Sequence, residues 1–329
     1  MNIRLKIINA NQMVKFQFNN KLVYFTSGII FSVLLLYILS FDSSKSSVSE
    51  NSNKIFPQNY HIISPYIPEE LNFCGERVPI ENIDIKERVE REFIVQTYYH
   101  SASILYLKRL NRWFPIIEPI LRENNVPADF KYLALAESGL ENIVSPVGAL
   151  GFWQFMKYNG PKYGLIINGE VDERYNIEKS TYAACKYILE AKERFGTWTL
   201  AAASYNKGLN GIDNQLDRQK ATNYYNLVLN QETSRYIPRI LALKYIMENP
   251  QFYGFDIKDE QLYKPYSTYK ILLDTSVVHL ADYAKLHEIN YYTLKLFNPW
   301  LRENFLTNKT NKRYFVKMPK KGTFEIIPD

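Results

Sequence analysis

The sequence predicts a mainly α protein with a membrane helix near its N-terminus and a small β-α-α-β unit near its C-terminus. Three observations predict this. Residues 80–250 carry helical apolar spacing and no long alternating strand pattern. Leu22 to Phe41 is a run of 20 residues without a charge, about the length a bilayer-spanning helix needs. Beyond Pro250 the texture changes to two short strand patterns enclosing two short helical ones.

Residues 1–21 contain Arg4, Lys6, Lys15 and Lys21 and no acidic residue. The positive-inside rule therefore places residues 1–21 in the cytoplasm, runs 22–41 across the membrane as a signal anchor, and puts the rest outside. A cleaved signal peptide and a buried core helix are the competing readings. The apolar run is long for a signal peptide, and the small-x-small cleavage pattern is weak. Residues 42–79, rich in Ser, Asn and Pro near their start, read as a flexible linker. Residues 80–125 form a helical lead-in, in which Ile85, Val89, Phe93 and Gln96 run on into YYHSASILYLKRL.

Further helices are expected near 114–124, 128–138, 180–195, 197–206 and 231–248. Ser180 or Thr181 should cap the helix at 180–195 and Gly196 should end it. Ala184, Tyr187, Ile188, Ala191 and Phe195 share its apolar face. In the C-terminal unit, 266–320, strands are expected at 269–274 and 313–318 and helices at 278–287 and 291–297. Asn298-Pro299 stops the last of these helices.

A chain of 329 residues has room for one large or two smaller domains, and 46% apolar with 22% charged residues is ordinary for a globular protein. No dense Lys/Arg tract with interleaved aromatics is present, so nucleic acid is not an expected partner. The net charge of +6 fits an anionic polymer or an anionic membrane surface. Cys74 and Cys185 have neither CxxC nor metal spacing, and pairing after export and burial as free thiols both stay open. There is no HExxH, EF-hand loop, GxSxG or P-loop, so neither a metal nor a cofactor is expected.

One residue stands out chemically. In Phe130-Lys-Tyr-Leu-Ala-Leu-Ala-Glu-Ser-Gly139, Phe130, Leu133, Ala134 and Glu137 fall at i, i+3, i+4 and i+7. The carboxylate thus joins an apolar stripe, just before a glycine helix stop. Lost hydration and the negative end of the helix dipole both raise its pKa. A carboxyl kept protonated near neutral pH can act as a general acid. Helix geometry alone is equally met by a last-turn glutamate bending out to water.

Downstream, Ser145-Pro-Val-Gly-Ala-Leu-Gly-Phe-Trp-Gln-Phe-Met156 carries two glycines that permit close backbone approach and an amide suited to sugar hydroxyls. Trp153 and Phe155 are either sugar platforms or core. Ser204-Tyr-Asn-Lys-Gly208 reads as a site wall or as an ordinary helix termination. Glu141, Asp172 and Glu173 are candidates for a second carboxylate, and none is convincing. One acid without a partner points to a group that serves first as acid and then as base.

The ordered set of Glu137-Ser138, Gly151-Phe-Trp-Gln154 with Met156, Ser204-Tyr-Asn206 and Glu232-Thr-Ser-Arg-Tyr236 resembles the lytic transglycosylases of the goose-type-lysozyme-like superfamily. The resemblance covers about 80–250, and VDERYNIEKSTYAACKYI between the motifs is similar too. It implies a lysozyme-like helical catalytic domain at 126–250 and a degenerate LysM-like C-terminal unit. It also implies cleavage of the MurNAc–GlcNAc bond of peptidoglycan glycan strands to a 1,6-anhydro product, with the catalytic domain in the periplasm and the chain anchored once in the inner membrane. Glu137 would be the sole acid/base. Ser138, Ser145, Gly148, Gly151, Gln154, Met156, Tyr205 and Asn206 would line the sugar subsites, and Tyr236 would orient Glu137. Ser204, Lys207 and Lys157 depart from the family pattern, as does Leu273-Asp-Thr275 in place of a Gly-Asp-Thr turn. A muramidase that uses water, a non-catalytic wall-binding protein and an envelope scaffold are the rival readings.

Overall fold

Residues 61–322 are described by the computed structural model. The expected cytoplasmic segment 1–21, the membrane helix 22–41 and the linker as far as residue 60 lie outside the described residues. Among those described, no helix is long and apolar enough to cross a membrane. Contacts separate Met1–Ile63 from Ser64–Asp329, and the second of these units is the one described below.

The linker expectation fails at its C-terminal end. Leu71, Phe73 and Val78 are core residues, no more than 2% exposed. They belong to a hairpin of β1 (Asn72–Phe73) and β2 (Glu76–Arg77). Cys74 and Gly75 form its turn at φ 54° and 80°, the positive values that tight two-residue hairpins need. Two residues per strand are too few for alternation to register. The hairpin is tied down by Asp129, whose Oδ2 accepts the Cys74 N–H at 2.7 Å. Glu76 accepts the Trp198 and Thr199 N–H groups at 2.6 and 2.8 Å.

Helix α1 (Ile83–Tyr98) starts at Asn82, whose side chain accepts the Asp84 and Ile85 N–H groups. It buries the expected Ile85, Val89, Phe93 and Gln96, together with Glu92. Helix α2 (His100–Glu123) is one element of 24 residues, so the helix expected at 114–124 is its final stretch. Pro115 and Pro119 lie inside it. Both are exposed, on one face at i and i+4. The helix runs through both, with the proline rings on its exposed side.

Helix α3 (Phe130–Ser138) is the central element, with Phe130, Leu133, Ala134 and Leu135 wholly buried. Complete burial of a Leu or Phe side chain contributes about 1.5–3 kcal/mol, so this short helix is held by packing and not by propensity. Helix α4 (Ile177–Phe195) begins earlier than expected. Asn176 caps it through the Glu178 and Lys179 N–H groups. Ser180 and Thr181 are buried inside it, and Thr181 Oγ1 accepts the Trp153 indole N–H at 2.8 Å. Gly196 ends α4 in the left-handed region, as its sequence position indicates.

Helix α5 (Trp198–Lys207) sinks Leu200 to Ala203 into the core. Helix α6 (Leu209–Gln219) buries only Ile212, too weak an apolar pattern to announce itself. Helix α7 (Gln231–Glu248) packs along α1 and α3.

A second, smaller core forms the C-terminal unit. Strand β3 (Thr268–Leu273), helices α8 (Leu280–Leu286) and α9 (Tyr291–Phe297) and strand β4 (Tyr314–Pro319) give the expected β-α-α-β order. The strands are antiparallel, in register from Thr268↔Pro319 to Leu273↔Tyr314. Leu273, Leu280, Leu294, Leu301, Val316 and Met318 fill this core, and Val171 from the helical region joins it. Backbone bonds fix the docking: Asp172 N–H to Trp300 O at 2.9 Å and Arg302 N–H to Glu170 O at 2.8 Å. Lys270 and Lys317 both pair with Glu178 of α4, at 3.0 and 3.2 Å.

Candidate active site

Glu137 occupies the last turn of α3 and is half-buried. Gly139 ends the helix at φ 61°, and a Cβ there would come within 2.7 Å of Tyr106 Cε1. Helix end and close packing both require glycine, and together they aim the preceding carboxyl. Tyr236 Oη, on α7, donates a short hydrogen bond to Glu137 Oε1. Burial pushes the Glu137 carboxyl up to about 7, against the Tyr236 hydrogen bond and the Arg239 charge, which lower it, while the Glu232 charge adds to the rise. Tyr236 is itself held well above the usual phenol range by its burial and by the Glu137 charge, so it stays a donor. Of the two orientations that helix geometry allows for Glu137, the structure shows the enclosed one.

The segment after α3 folds back into tight turns. Ile143 O accepts both the Gly151 N–H at 3.0 Å and Gln154 Nε2 at 3.1 Å. Gln154 Nε2 also donates to Gly151 O at 2.8 Å, and Gln154 itself sits at φ 46°. The amide nitrogen is thereby spent on the loop, and its oxygen is the atom left for a sugar donor. Ser145 Oγ accepts the Ala149 N–H at 3.0 Å, and Gly148 at φ 84° closes that turn. Met156 is half-buried, its carbonyl taken by Asn159 and Gly160. Ser138 Oγ donates toward Ala134 O and Phe152 O and accepts the Leu140 N–H, so its hydroxyl braces the loop. Trp153 and Phe155 are buried core and not exposed platforms.

Helix α5 supplies the opposite side. Tyr205 Oη donates to Trp153 O at 2.8 Å, and its ring lies 4.9 Å from that of Tyr187. Its hydroxyl is held far above the usual range by burial and by the Glu137 charge, which places it beside the acid. Asn206 bridges to α7, donating to Glu232 Oε1 at 3.0 Å and accepting from Thr233 Oγ1 at 2.8 Å. The structure thus brings Glu137, Tyr205, Asn206 and Tyr236 into one network of α3, α5 and α7. The turns of 143–156 are built against it through Trp153 O.

None of the three candidate second carboxylates joins this network. Glu141 pairs with Arg109 at 2.6 Å. Asp172 is buried against Arg174 at 2.7 Å, and Arg174 in turn holds the carbonyls of Gly148 and Phe155. Glu173 accepts the Ile166 N–H at 2.8 Å. The carboxylate whose charge reaches Glu137 is the exposed Glu232, which sequence reasoning left out of the site. Its signal was present: Glu232 and Tyr236 stand at i and i+4 of one helix face.

Glu92 was also missed. It is wholly buried, pairs with Arg235 at 2.6 Å and lies 3.7 Å from Arg239, the cation that acts on Glu137. It stands at i+3 from Val89 and i+7 from Ile85, the same stripe position that marks Glu137. Cys74 and Cys185 are both free, and burial pushes the Cys185 thiol up to about 12, so it is chemically quiet.

Two family models and two curated proteins match this chain. A model of the transglycosylase SLT domain matches residues 114–228. A model of the soluble lytic transglycosylase C-terminal LysM-like domain matches residues 269–322. The chain is 28% identical over 258 residues to the membrane-bound lytic murein transglycosylase D of Escherichia coli (strain K12), covering 76% of this chain and 55% of that protein. The protein of the same name from Escherichia coli O6:H1 (strain CFT073) matches with the same figures. The chain spans about half the length of the curated relatives it matches. It carries an SLT transglycosylase domain followed by a LysM-like domain. Tyr236 and Glu232 lie beyond the matched stretch of the first.

Proposed function

We propose that this chain is a peptidoglycan lytic transglycosylase that cleaves the β-1,4 bond between MurNAc and GlcNAc with Glu137 as its single acid/base. The observation that carries this reading is a half-buried carboxyl within the stretch matched as an SLT domain, raised to about 7 and held by a buried tyrosine from α7. At that pKa both protonation states are populated near neutral pH, as a group that acts twice requires.

In the first step Glu137 gives its proton to the glycosidic oxygen, and the C1–O bond breaks. In the second its carboxylate takes the proton of the C6 hydroxyl on the same MurNAc. That oxygen bonds to C1, closing a 1,6-anhydro ring and restoring the acid. The nucleophile belongs to the substrate, so neither a bound water nor a second carboxylate is needed. Its closeness exploits the high effective molarity of oriented groups. Tyr236 keeps the Glu137 carboxyl oriented. Ser145, Gln154, Met156, Tyr205 and Asn206 line the sugar sites, with Gly148 and Gly151 admitting the strand to the backbone. Ser138 holds the loop that carries them. The chain is anchored through 22–41, with the catalytic domain on the periplasmic side of the inner membrane.

A second reading is favoured by Glu232. An exposed carboxylate in the Glu137–Asn206 network is a candidate base for water, which would make the enzyme a muramidase. Mass spectrometry of muropeptides released from purified sacculi separates the two, with Glu137→Gln as control. Products about 18 Da lighter than hydrolytic ones, absent with the control, support transglycosylation. Reducing-end products would transfer the assignment to hydrolysis. Binding without turnover by folded protein would favour a wall-binding or scaffold role.

A further inference from the structure

A cavity of about 600 Å³ lies between the helical region and the C-terminal unit. That is within the size range of small-molecule sites. Glu137 does not line it, although Leu140 to Ile143 do. Ile143 is therefore shared: its carbonyl holds Gly151 and Gln154 of the candidate active site, and its residue also borders this cavity.

The charge on its walls is unbalanced. Arg109, Arg112, Lys295 and Lys317 line it against one carboxylate, Glu141. Arg109 is paired with Glu141, and Lys317 with Glu178. Arg112 and Lys295 have no ion-pair partner among the described residues. Arg112 is fixed nonetheless. Its Nε donates to Lys264 O at 3.0 Å, and its guanidinium lies 4.1 Å over the Tyr266 ring. A guanidinium held flat in this way presents a fork that matches a carboxylate. Lys295 is held by the carbonyls of Leu301 and Glu303. Burial and the neighbouring Arg302 charge lower its pKa, which an incoming anion would reverse. Trp113 and Trp300 supply apolar wall on either side of the domain junction.

A bare sugar stacks on aromatic rings and needs no cation. Two unpaired cations beside apolar wall call for a carboxylate on an alkyl-bearing ligand. We propose that this cavity binds the carboxylate-ended peptide of a peptidoglycan fragment, with Arg112 and Lys295 holding the carboxylate and Trp113 and Trp300 packing against its alkyl part. The proposal rests on the reading that peptidoglycan is the substrate. Occupancy reaches the active site through Ile143, so peptide-bearing strands are selected by a site distinct from the one that cleaves the sugar.

The test uses the full chain carrying Glu137→Gln, so that nothing turns over. Calorimetric titration compares three probes: a peptide-bearing muropeptide, the same sugar stripped of peptide with its lactyl carboxylate capped as the amide, and the free peptide. The muropeptide is expected to bind at least about tenfold more tightly than the stripped sugar, with the free peptide binding on its own. Arg112→Gln and Lys295→Gln, each checked for fold by circular dichroism, should each weaken the peptide-bearing probes about tenfold and leave the stripped sugar unchanged. Both should cleave stripped strands at the unmutated rate when Glu137 is present. Equal affinity for stripped and peptide-bearing probes, or no loss in either variant, would overturn the proposal. Wild-type protein that fails to cleave any strand would instead overturn the function proposed above, while the free-peptide titration still decides the cavity.

Discussion

Glu137→Gln removes the charge from the proposed acid and keeps its shape. Gln can still accept the Tyr236 hydrogen bond, so the fold should survive and cleavage should be lost. The structure also dictates a stability change of definite sign. An unfolded glutamate titrates near 4.5, whereas burial holds this one near 7. Between those values the unfolded chain has released its proton and the folded chain has kept it. The wild-type contribution from this group is therefore full below pH 4.5 and falls as pH rises toward 7. At about 1.36 kcal/mol for each unit, the loss amounts to about 3 kcal/mol. Gln does not titrate, so the variant should match the wild type at pH 4 and exceed it by about 3 kcal/mol at pH 8. Urea unfolding of both proteins at the two pH values measures the difference. A stability gap that stays constant across this range would mean that Glu137 is an ordinary solvated carboxylate, and the case for a protonated acid would collapse.

Tyr236→Phe deletes the hydrogen bond that favours the carboxylate, so the Glu137 pKa should rise further. A hydrogen bond to a charged group is worth about 1.5–3 kcal/mol, so the basic limb of the kcat/KM profile should move up by about one to two pH units, with kcat reduced by lost orientation. Glu92→Gln leaves Arg235 and Arg239 without their buried partner. It should cost about 3–5 kcal/mol in denaturant unfolding, and the uncompensated Arg239 should shift the basic limb downward, opposite to Tyr236→Phe. Gly151→Ala places a Cβ 2.2 Å from Arg174 O at a φ of 84°. Strain at such a backbone costs of order 1–3 kcal/mol before the clash is counted, and calorimetric melting should show at least that loss.

The helix that carries Glu137 was legible because its evidence is local. Four residues at i, i+3, i+4 and i+7 and a glycine after them put Glu137 on the buried face of α3, and that is where it lies. Gly196 at the end of α4 and the strand-helix-helix-strand order after residue 266 were read in the same way. The linker read to residue 79 ran past its true end because β1 and β2 have two residues each. Ser180 and Thr181 looked like caps by type, yet Asn176 caps α4, since several cap-competent residues precede that helix.

Sequence alone determined the place of Glu137 on an apolar helix stripe, the glycine ends of α3 and α4 and the order of the C-terminal unit. These follow from interactions between residues within about one helical turn, which spacing along the chain reports directly. Tertiary structure alone decided which groups surround that acid. Tyr236 reaches it across 99 residues of chain, Glu232 and Arg239 act on it from the same distant helix, and Glu92 holds Arg239 from a third. A pKa sums desolvation and charge over every atom within a few ångströms, and proximity in space across folded helices leaves no periodic trace in sequence.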